Sequence, residues 1–353
     1  MALSSTIDHP ARVALIGCGW AGERHARAYL QHGATLAWLV DSQEARAAAL
    51  REGLGAAGAA ARIGTDYRAA LADPEADAVD ICLPHDLHAP VAIAAAGAGK
   101  RILVEKPLAA TLDEADAMIA AAERAAVTLM VAENVRYDPV LLKVRDLLRE
   151  GVIGRPALVQ MTRECYLRQS FMVDRPWFLN ARAAAGGIMM SGGVHDFETL
   201  RMLIGEVASI HALRARQRFL EMEGDDTSVA LIRFVDGTVG TLVESFLMKS
   251  LTTAAGPEVH TLRIDGDLGH LFVGEGRRIR IFSEHRDWSG AGALAAHELH
   301  VPEGDTFAAE IAHFLDCLRS GDEPITSGRA QRVALAYVLA AYRAMETGEP
   351  VSL

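Results

Sequence analysis

The chain has 353 residues, a formal net charge of −11, and a composition that is 50% hydrophobic and 23% charged. That length is enough for two domains with real cores, and the acidic balance excludes a basic face for nucleic acid or anionic lipid. The cysteines, Cys18, Cys82, Cys165 and Cys317, lie far apart with no C-x-x-C pair, which fits reduced thiols in a cytosol and not a disulfide framework.

The N-terminal stretch Met1–Pro10 lacks the charged, apolar, small-residue order of a signal peptide. No run approaches the roughly 18 apolar residues of a membrane span. The expectation is a cytoplasmic protein with no membrane partner. Val13–Ile16 is then a short apolar run that stops at a glycine. Gly17, Gly19 and Gly22 follow the G-x-G-x-x-G spacing, a helix is predicted from Glu23, and a second apolar run, Leu36–Val40, ends in Asp41. A strand before the glycines, a helix after them, and an acid about 20 residues on make a dinucleotide-binding βαβ unit. Gly17 allows the tight turn, Gly19 lets backbone approach a pyrophosphate, and Gly22 lets the helix pack close to the sheet. The turn through Trp20 and Ala21 offers the N–H groups of a helix N-terminus to the phosphates. A carboxylate at Asp41 accepts from ribose hydroxyls and repels a 2′-phosphate, so NAD is expected over NADP. Asp41 or Ser42 can also cap the following helix. Cys18, inside the turn, reads as a packing residue.

Further along, helix is predicted at about 43–52, an edge strand at 62–64, a helical turn at 67–71 and a buried strand at 78–83 stopped by Pro84. A helix at about 90–98 follows, then a strand at 101–104. Thr111 and Glu114 form a capping-box start for a helix to about 125, and 127–132 is the sixth strand. Alternating strands and helices give a doubly wound parallel sheet, whose ligands bind at the strand carboxyl ends. Those ends are Gly17, Asp41, Pro84–His88, Glu105–Pro107 and Glu133–Tyr137. After Asn134 the pattern changes. A helix at about 140–150 precedes strand-like runs at 157–161, 210–214, 228–234, 238–245, 261–265, 270–273 and 279–282, with a hairpin signal at Asp236-Gly237. Helices follow at 307–320 and 329–347. This half reads as a mainly antiparallel open sheet with helices on one side. Its uncovered face makes self-association an expectation. His297 and His300 lack a third ligand at metal spacing and read as surface residues; no metal is expected.

Glu105-Lys106-Pro107 at a strand end, after a glycine-turn βαβ unit, resembles the Gfo/Idh/MocA family of NAD(P)-dependent oxidoreductases. Leu83–His88, Asn134-Val135-Arg136-Tyr137, the glycine-rich run from Gly186-Gly187 to His195, Asp226-Thr227 and Phe234–Thr238 resemble further stretches of it. The match runs from about Arg12 to Leu353. The resemblance implies an α/β chain: an NAD-binding Rossmann domain, 1–134, and a substrate-binding and oligomerisation domain, 135–353, built on the open sheet. It implies hydride transfer at a secondary alcohol or ketone, often of a sugar or cyclitol, in a homodimer or homotetramer.

Such a transfer needs a base for the hydroxyl proton and a group that holds the reacting oxygen. Lys106, following a buried strand, can hydrogen-bond that oxygen and stabilise alkoxide charge; alone, it can equally pair with Glu105 or a phosphate. His195 is the second candidate, since its intrinsic pKa suits acid–base work at neutral pH; a lone His in Gly-Val-His-Asp is otherwise a packed or capping residue. The family commonly has Asp four residues before this His, and here that position is Ser191, which supplies a hydrogen bond but no charge. Asp196 is expected to point elsewhere. Pro84, His85, His88, Glu105, Lys106 and Asn134 are expected near the cofactor, with His88 alternatively a helix-start residue. Tyr137, and Tyr166, Arg163, Arg175 and Trp177 in an irregular stretch before the glycines, are candidates for substrate contact, or else form an ordinary loop. Three readings follow: an NAD-dependent dehydrogenase of a sugar or cyclitol; a glycoside-cleaving enzyme that oxidises transiently, eliminates and returns the hydride; or an NAD-binding regulatory protein with a lapsed site.

Overall fold

The computed structural model describes residues 6–248, 259–274, 277–288 and 296–353; the first five residues of the Met1–Pro10 stretch lie outside the described residues. Contacts divide the chain into two units, 1–134 with 305–333, and 135–304 with 334–353. The sequence reading placed 305–333 with the second domain. This segment instead joins the first unit, where its helix packs along the helix after the glycine turn and Thr326 bonds both ways with the Val131 backbone.

The first unit runs β1 (Arg12–Ile16), α1 (Trp20–Gln31), β2 (Thr35–Val40), α2 (Glu44–Gly53), β3 (Arg62–Gly64), α3 (Tyr67–Leu71), β4 (Ala78–Ile81), α4 (His88–Gly97), β5 (Arg101–Glu105), α5 (Leu112–Ala125) and β6 (Leu129–Ala132). The sheet is parallel in the order β3-β2-β1-β4-β5-β6, the doubly wound order in which the strand sequence reverses beside β1. Val13–Leu15, Ala78, Val79 and Leu103–Val104 are buried, as strands covered on both faces must be, which is why they read as unbroken apolar runs. Helix α1 starts at Trp20, earlier than Glu23, because extended Gly19 is its N-cap and the Glu23 N–H closes onto the Gly19 carbonyl at 2.9 Å. The phosphate-type turn is therefore the helix end itself. A 3-10 turn, His85–Leu87, precedes α4, so that helix also begins before Pro90. Thr111 caps α5 by accepting from the Glu114 N–H, while Glu114 reaches back to the Ala110 N–H.

The second unit contains α6 (Pro139–Arg149), β7 (Pro156–Glu164), α7 (Arg168–Val173), α8 (Ala181–Ala184), α9 (Ile188–Ser191), α10 (Gly193–Leu203), β8 (Val207–Arg214), β9 (Thr227–Phe234), β10 (Val239–Ser245), β11 (Val259–Gly266), β12 (Gly269–Val273), β13 (Arg278–Ser283) and β14 (Ala296–His300). The chain then forms α11 (Thr306–Ser320), α12 (Gly328–Thr347) and β15 (Val351–Ser352). The second sheet has the order β14-β13-β12-β11-β7-β10-β9-β8-β15, antiparallel apart from the β7–β10 pair. Strands β14 and β15 escaped the sequence reading: His297 and His300 lie on β14, and the His297 ring bonds the Trp288 carbonyl at 2.6 Å. Asp236-Gly237 joins β9 to β10 with Gly237 at φ 96°. Strand β9 alternates strictly, burying Ser228, Ala230, Ile232 and Phe234 and exposing Val229, Leu231 and Arg233. No helix among the described residues is long and apolar enough to cross a membrane.

Candidate functional site

The glycines of the first turn do distinct work. Gly17 has φ 101°, and a Cβ there would lie 2.1 Å from the Cys82 carbonyl oxygen. A Cβ on Gly22 would lie 2.0 Å from the Gly17 carbonyl oxygen, whereas around Gly19 nothing stands within 4 Å. Two positions are thus glycine for packing, and the middle one leaves open space beside the helix end. No side chain caps α1, so its first turn suits an anion. The Trp20 side chain is half-exposed, edge-on to Phe307 at 5.7 Å, with the Arg24 guanidinium 3.7 Å over its ring. At the end of β2, Asp41 accepts from the Cys18 N–H at 3.0 Å and the Gln43 N–H at 2.9 Å. It ties the two strand ends together and is not the N-cap of α2, which is Gln43. Each carboxylate oxygen retains a lone pair for a hydroxyl donor. Burial and the Asp41 charge push the Cys18 thiol up to about 12, which makes it an inert packing group. An open middle glycine, an uncapped helix end and a carboxylate at β2 together fit an NAD molecule.

The ends of β4 and β5 are joined through His88. One of its ring nitrogens lies 2.8 Å from the Pro107 carbonyl oxygen and the other 2.9 Å from the Leu83 carbonyl oxygen. The residue is fully buried at the start of α4, and burial lowers its pKa. With one N–H on the neutral ring, His88 donates to one of these carbonyls and packs between the two turns, where a cofactor contact was expected. His85 is also buried, its ring 5.6 Å from that of His88. Pro84 opens the 3-10 turn that carries His85. Lys106 is half-buried just past β5, and the Glu105 carboxylate accepts its backbone N–H at 3.0 Å. Asn134, past β6, donates to the Thr306 hydroxyl at 2.9 Å.

In the second unit Ser191 ends α9 and His195 lies in the first turn of α10, both buried. Between them a Cβ at Gly192 would stand 2.6 Å from Glu244 Oε2 and 2.9 Å from Arg163 Cδ. Arg163 lies on β7, not in an irregular stretch, and it is buried. Its guanidinium grips Asp196 in a two-point pair at 2.9 and 2.6 Å. That use of its donors corrects the expectation of an open substrate contact. Burial would raise the Asp196 pKa, but the Arg163 charge outweighs it and holds the group low. Burial and the Asp196 charge push Glu244 well above its ordinary value, which favours its neutral form beside the pair. Farther on, Tyr342 donates to Asp225 at 2.6 Å and accepts from the Gly187 N–H at 2.9 Å, fixing the start of α9. Tyr166 follows β7 and is half-buried. Trp177 stacks on Phe178 at 3.9 Å, and Arg175 lies 5.3 Å from the Phe171 and Phe178 rings. Both therefore lean on an apolar cluster that includes Cys165 and Ile188. Tyr137 closes a 3-10 turn, Asn134–Tyr137.

Sequence reasoning set Asp196 aside as pointing elsewhere and passed over Glu244, Asp225, Tyr342 and the His25–Asp80 pair. Each takes its meaning from a partner distant in sequence. His25, Asp80 and Cys82 bring three ligand-type atoms together, but His25 Nδ1 and Asp80 Oδ2 are 2.8 Å apart, a hydrogen-bond distance.

Residues 11–133 match the family described as "Oxidoreductase family, NAD-binding Rossmann fold" of the Gfo/Idh/MocA group, and residues 141–272 match the GFO/IDH/MocA C-terminal domain. The chain is 31% identical over 349 residues to D-apiose dehydrogenase of Paraburkholderia graminis, covering 96% of this chain and 89% of that protein. It is 27% identical over 356 residues to scyllo-inositol 2-dehydrogenase (NAD(+)) of Bacillus subtilis, covering 98% and 97%. The solved structure of levoglucosan dehydrogenase in complex with NADH and levoglucosan aligns with a TM-score of 0.86 at 24% identity over 98% of this chain and 99% of that one, a likeness of fold. The chain belongs to the Gfo/Idh/MocA family of NAD-binding oxidoreductases.

Proposed function

We propose that the protein is an NAD-dependent dehydrogenase that oxidises a secondary alcohol of a sugar, sugar derivative or cyclitol, or reduces the matching ketone. The observation that carries the reading is the position of Lys106: half-buried at the end of β5 and anchored through Glu105, in the same unit as the glycine cradle and Asp41. Bound NAD supplies the hydride acceptor. The Lys106 ammonium holds the reacting oxygen and stabilises its developing charge. His195 takes or relays the hydroxyl proton, and Ser191 hydrogen-bonds near the substrate. Tyr166, Trp177 and Tyr137 offer aromatic and hydroxyl surface for a polyol. The named activities of the apiose and inositol relatives support this substrate class. Residues 1–134 bind the cofactor, and the sheet unit binds substrate and a second copy of the chain. The outward apolar side chains Val229, Leu231 and Val239 support that association.

The test is NADH formation from NAD across a panel of pentoses, hexoses, anhydrosugars and inositols, with NADP in parallel. One polyol class oxidised with NAD in preference to NADP supports the reading. Cleavage of a glycoside without net NADH would replace it with transient oxidation and elimination. NADH binding without turnover on any compound would replace it with a binding protein. Sedimentation of the intact chain tests the association, with a dimer or tetramer expected and a monomer contradicting it.

A further inference from the structure

His25 has no part in the reaction described above, yet it sits among several ionisable groups. It lies on α1, three residues past Gly22, and its side chain is fully buried. Nδ1 is 2.8 Å from Asp80 Oδ2 on β4, with the Cys82 sulfur 3.5 Å away. Nε2 is 3.5 Å from Glu105 Oε1 at the end of β5 and 3.8 Å from Glu310 Oε1 on α11. Tyr29 on α1 also faces Asp80, and Glu133 past β6 faces Glu310. The second oxygen of Glu105 accepts the Lys106 backbone N–H at 3.0 Å. One imidazole thus touches a helix that starts in the glycine cradle, the strand beside it, and the carboxylate that anchors the lysine turn.

We infer that His25 is a positioning residue for Lys106: with Nδ1 bonded to Asp80, its Nε2 faces the Glu105 carboxylate as an ion pair at 3.5 Å, holds the group that fixes the Lys106 backbone, and so couples the lysine turn to the helix of the cofactor cradle. A neutral imidazole has a single N–H. Given to Asp80, it would leave a lone pair facing Glu105, and the two would repel. The doubly protonated ring removes that conflict. Burial alone would lower the His25 pKa, but Asp80 outweighs burial and holds it well above the ordinary value. Burial raises the pKa of the groups that could compete, Cys82, Tyr29 and Glu310, and so favours their neutral forms. A shift of about 1 Å in a reacting group costs about a hundredfold in rate, so the anchor matters without touching substrate.

This inference rests on the role proposed for Lys106, and the experiment separates the two. His25→Gln, Glu105→Gln, the double variant and Lys106→Ala are compared in the full-length enzyme with NAD and its best polyol. kcat, KM, the NADH dissociation constant and the melting temperature are measured for each. His25→Gln and Glu105→Gln should each lower kcat about 10- to 100-fold, with KM and NADH affinity within about threefold of the parent. The double variant should fall no further than the worse single one, because both break one coupling. Unchanged kcat in folded His25→Gln, or losses that multiply in the double variant, overturns the inference. If Lys106→Ala turns over normally, the role of Lys106 fails and this inference fails with it. If Lys106→Ala is dead while His25→Gln is normal, only this inference fails. Should His25→Gln not fold, Glu105→Gln decides: it keeps an acceptor for the Lys106 N–H but loses the charge that His25 holds, and an unchanged kcat overturns the inference.

Discussion

Lys106 stands where a buried parallel strand ends, and its first anchor is the adjacent residue, Glu105. His195 stands on α10, and what fixes that helix is a network drawn from β7, α10 and β10: Arg163 gripping Asp196, with Glu244, its pKa raised, alongside. The first region's anchor lies next to the lysine in sequence, so a three-residue motif announces it. The second is set by side chains that meet only after folding, so glycines at 192 and 193 are all that shows in the sequence. A site built the first way should lose chemistry when mutated, and one built the second way should lose the fold as well.

The largest effect should come from Lys106→Ala. Turnover should drop by about 10²- to 10⁴-fold, with the melting temperature and NADH affinity, read by fluorescence titration, nearly unchanged. Asp196→Ala inverts this pattern. It removes the two-point partner of the buried Arg163 guanidinium, at a cost of about 3–5 kcal/mol in urea unfolding, and activity should fall with the folded fraction. A stable Asp196→Ala protein would break the comparison. Asp41→Ala tests the cradle and should weaken NAD binding by about tenfold, the worth of a hydrogen bond to a charged group, and narrow the preference over NADP.

The smallest effect is in the pH dependence of stability. Asp196 is held below its ordinary value of 3.8, so its contribution is full above that value and lost as pH falls through the lower folded value. Glu244 is raised above its ordinary 4.5. From pH 4.5 up to its folded value the native state holds the extra proton, and stability declines as pH rises. Glu244→Gln keeps the shape of the neutral acid and should flatten that decline in urea melts taken along pH. A decline unchanged by the substitution would show that Glu244 is already ionised.

The doubly wound sheet was legible because strands buried on both faces are written as apolar runs, and the cradle because glycines at 17 and 22 admit no Cβ. The open sheet was legible in the alternation of β9. The place of residues 305–333 was not, since Phe307 and Thr326 carry no sign of which unit they pack on. His88 was misread because a histidine at a strand end looks alike whether it faces a ligand or, as here, two carbonyls. Arg163 was misread because its partner, Asp196, lies in another element. Short β14 and β15 carried too few alternating residues to stand out.

The most direct test of the account is a single-turnover measurement of NADH formation after mixing the NAD-loaded enzyme with a polyol deuterated at the carbinol carbon. The intact protein should form NADH with deuterium on the nicotinamide ring, slowed relative to the protiated polyol, and Lys106→Ala should bind NAD but form almost none. NADH formed equally by both proteins, or no transfer of deuterium to the ring, would contradict it.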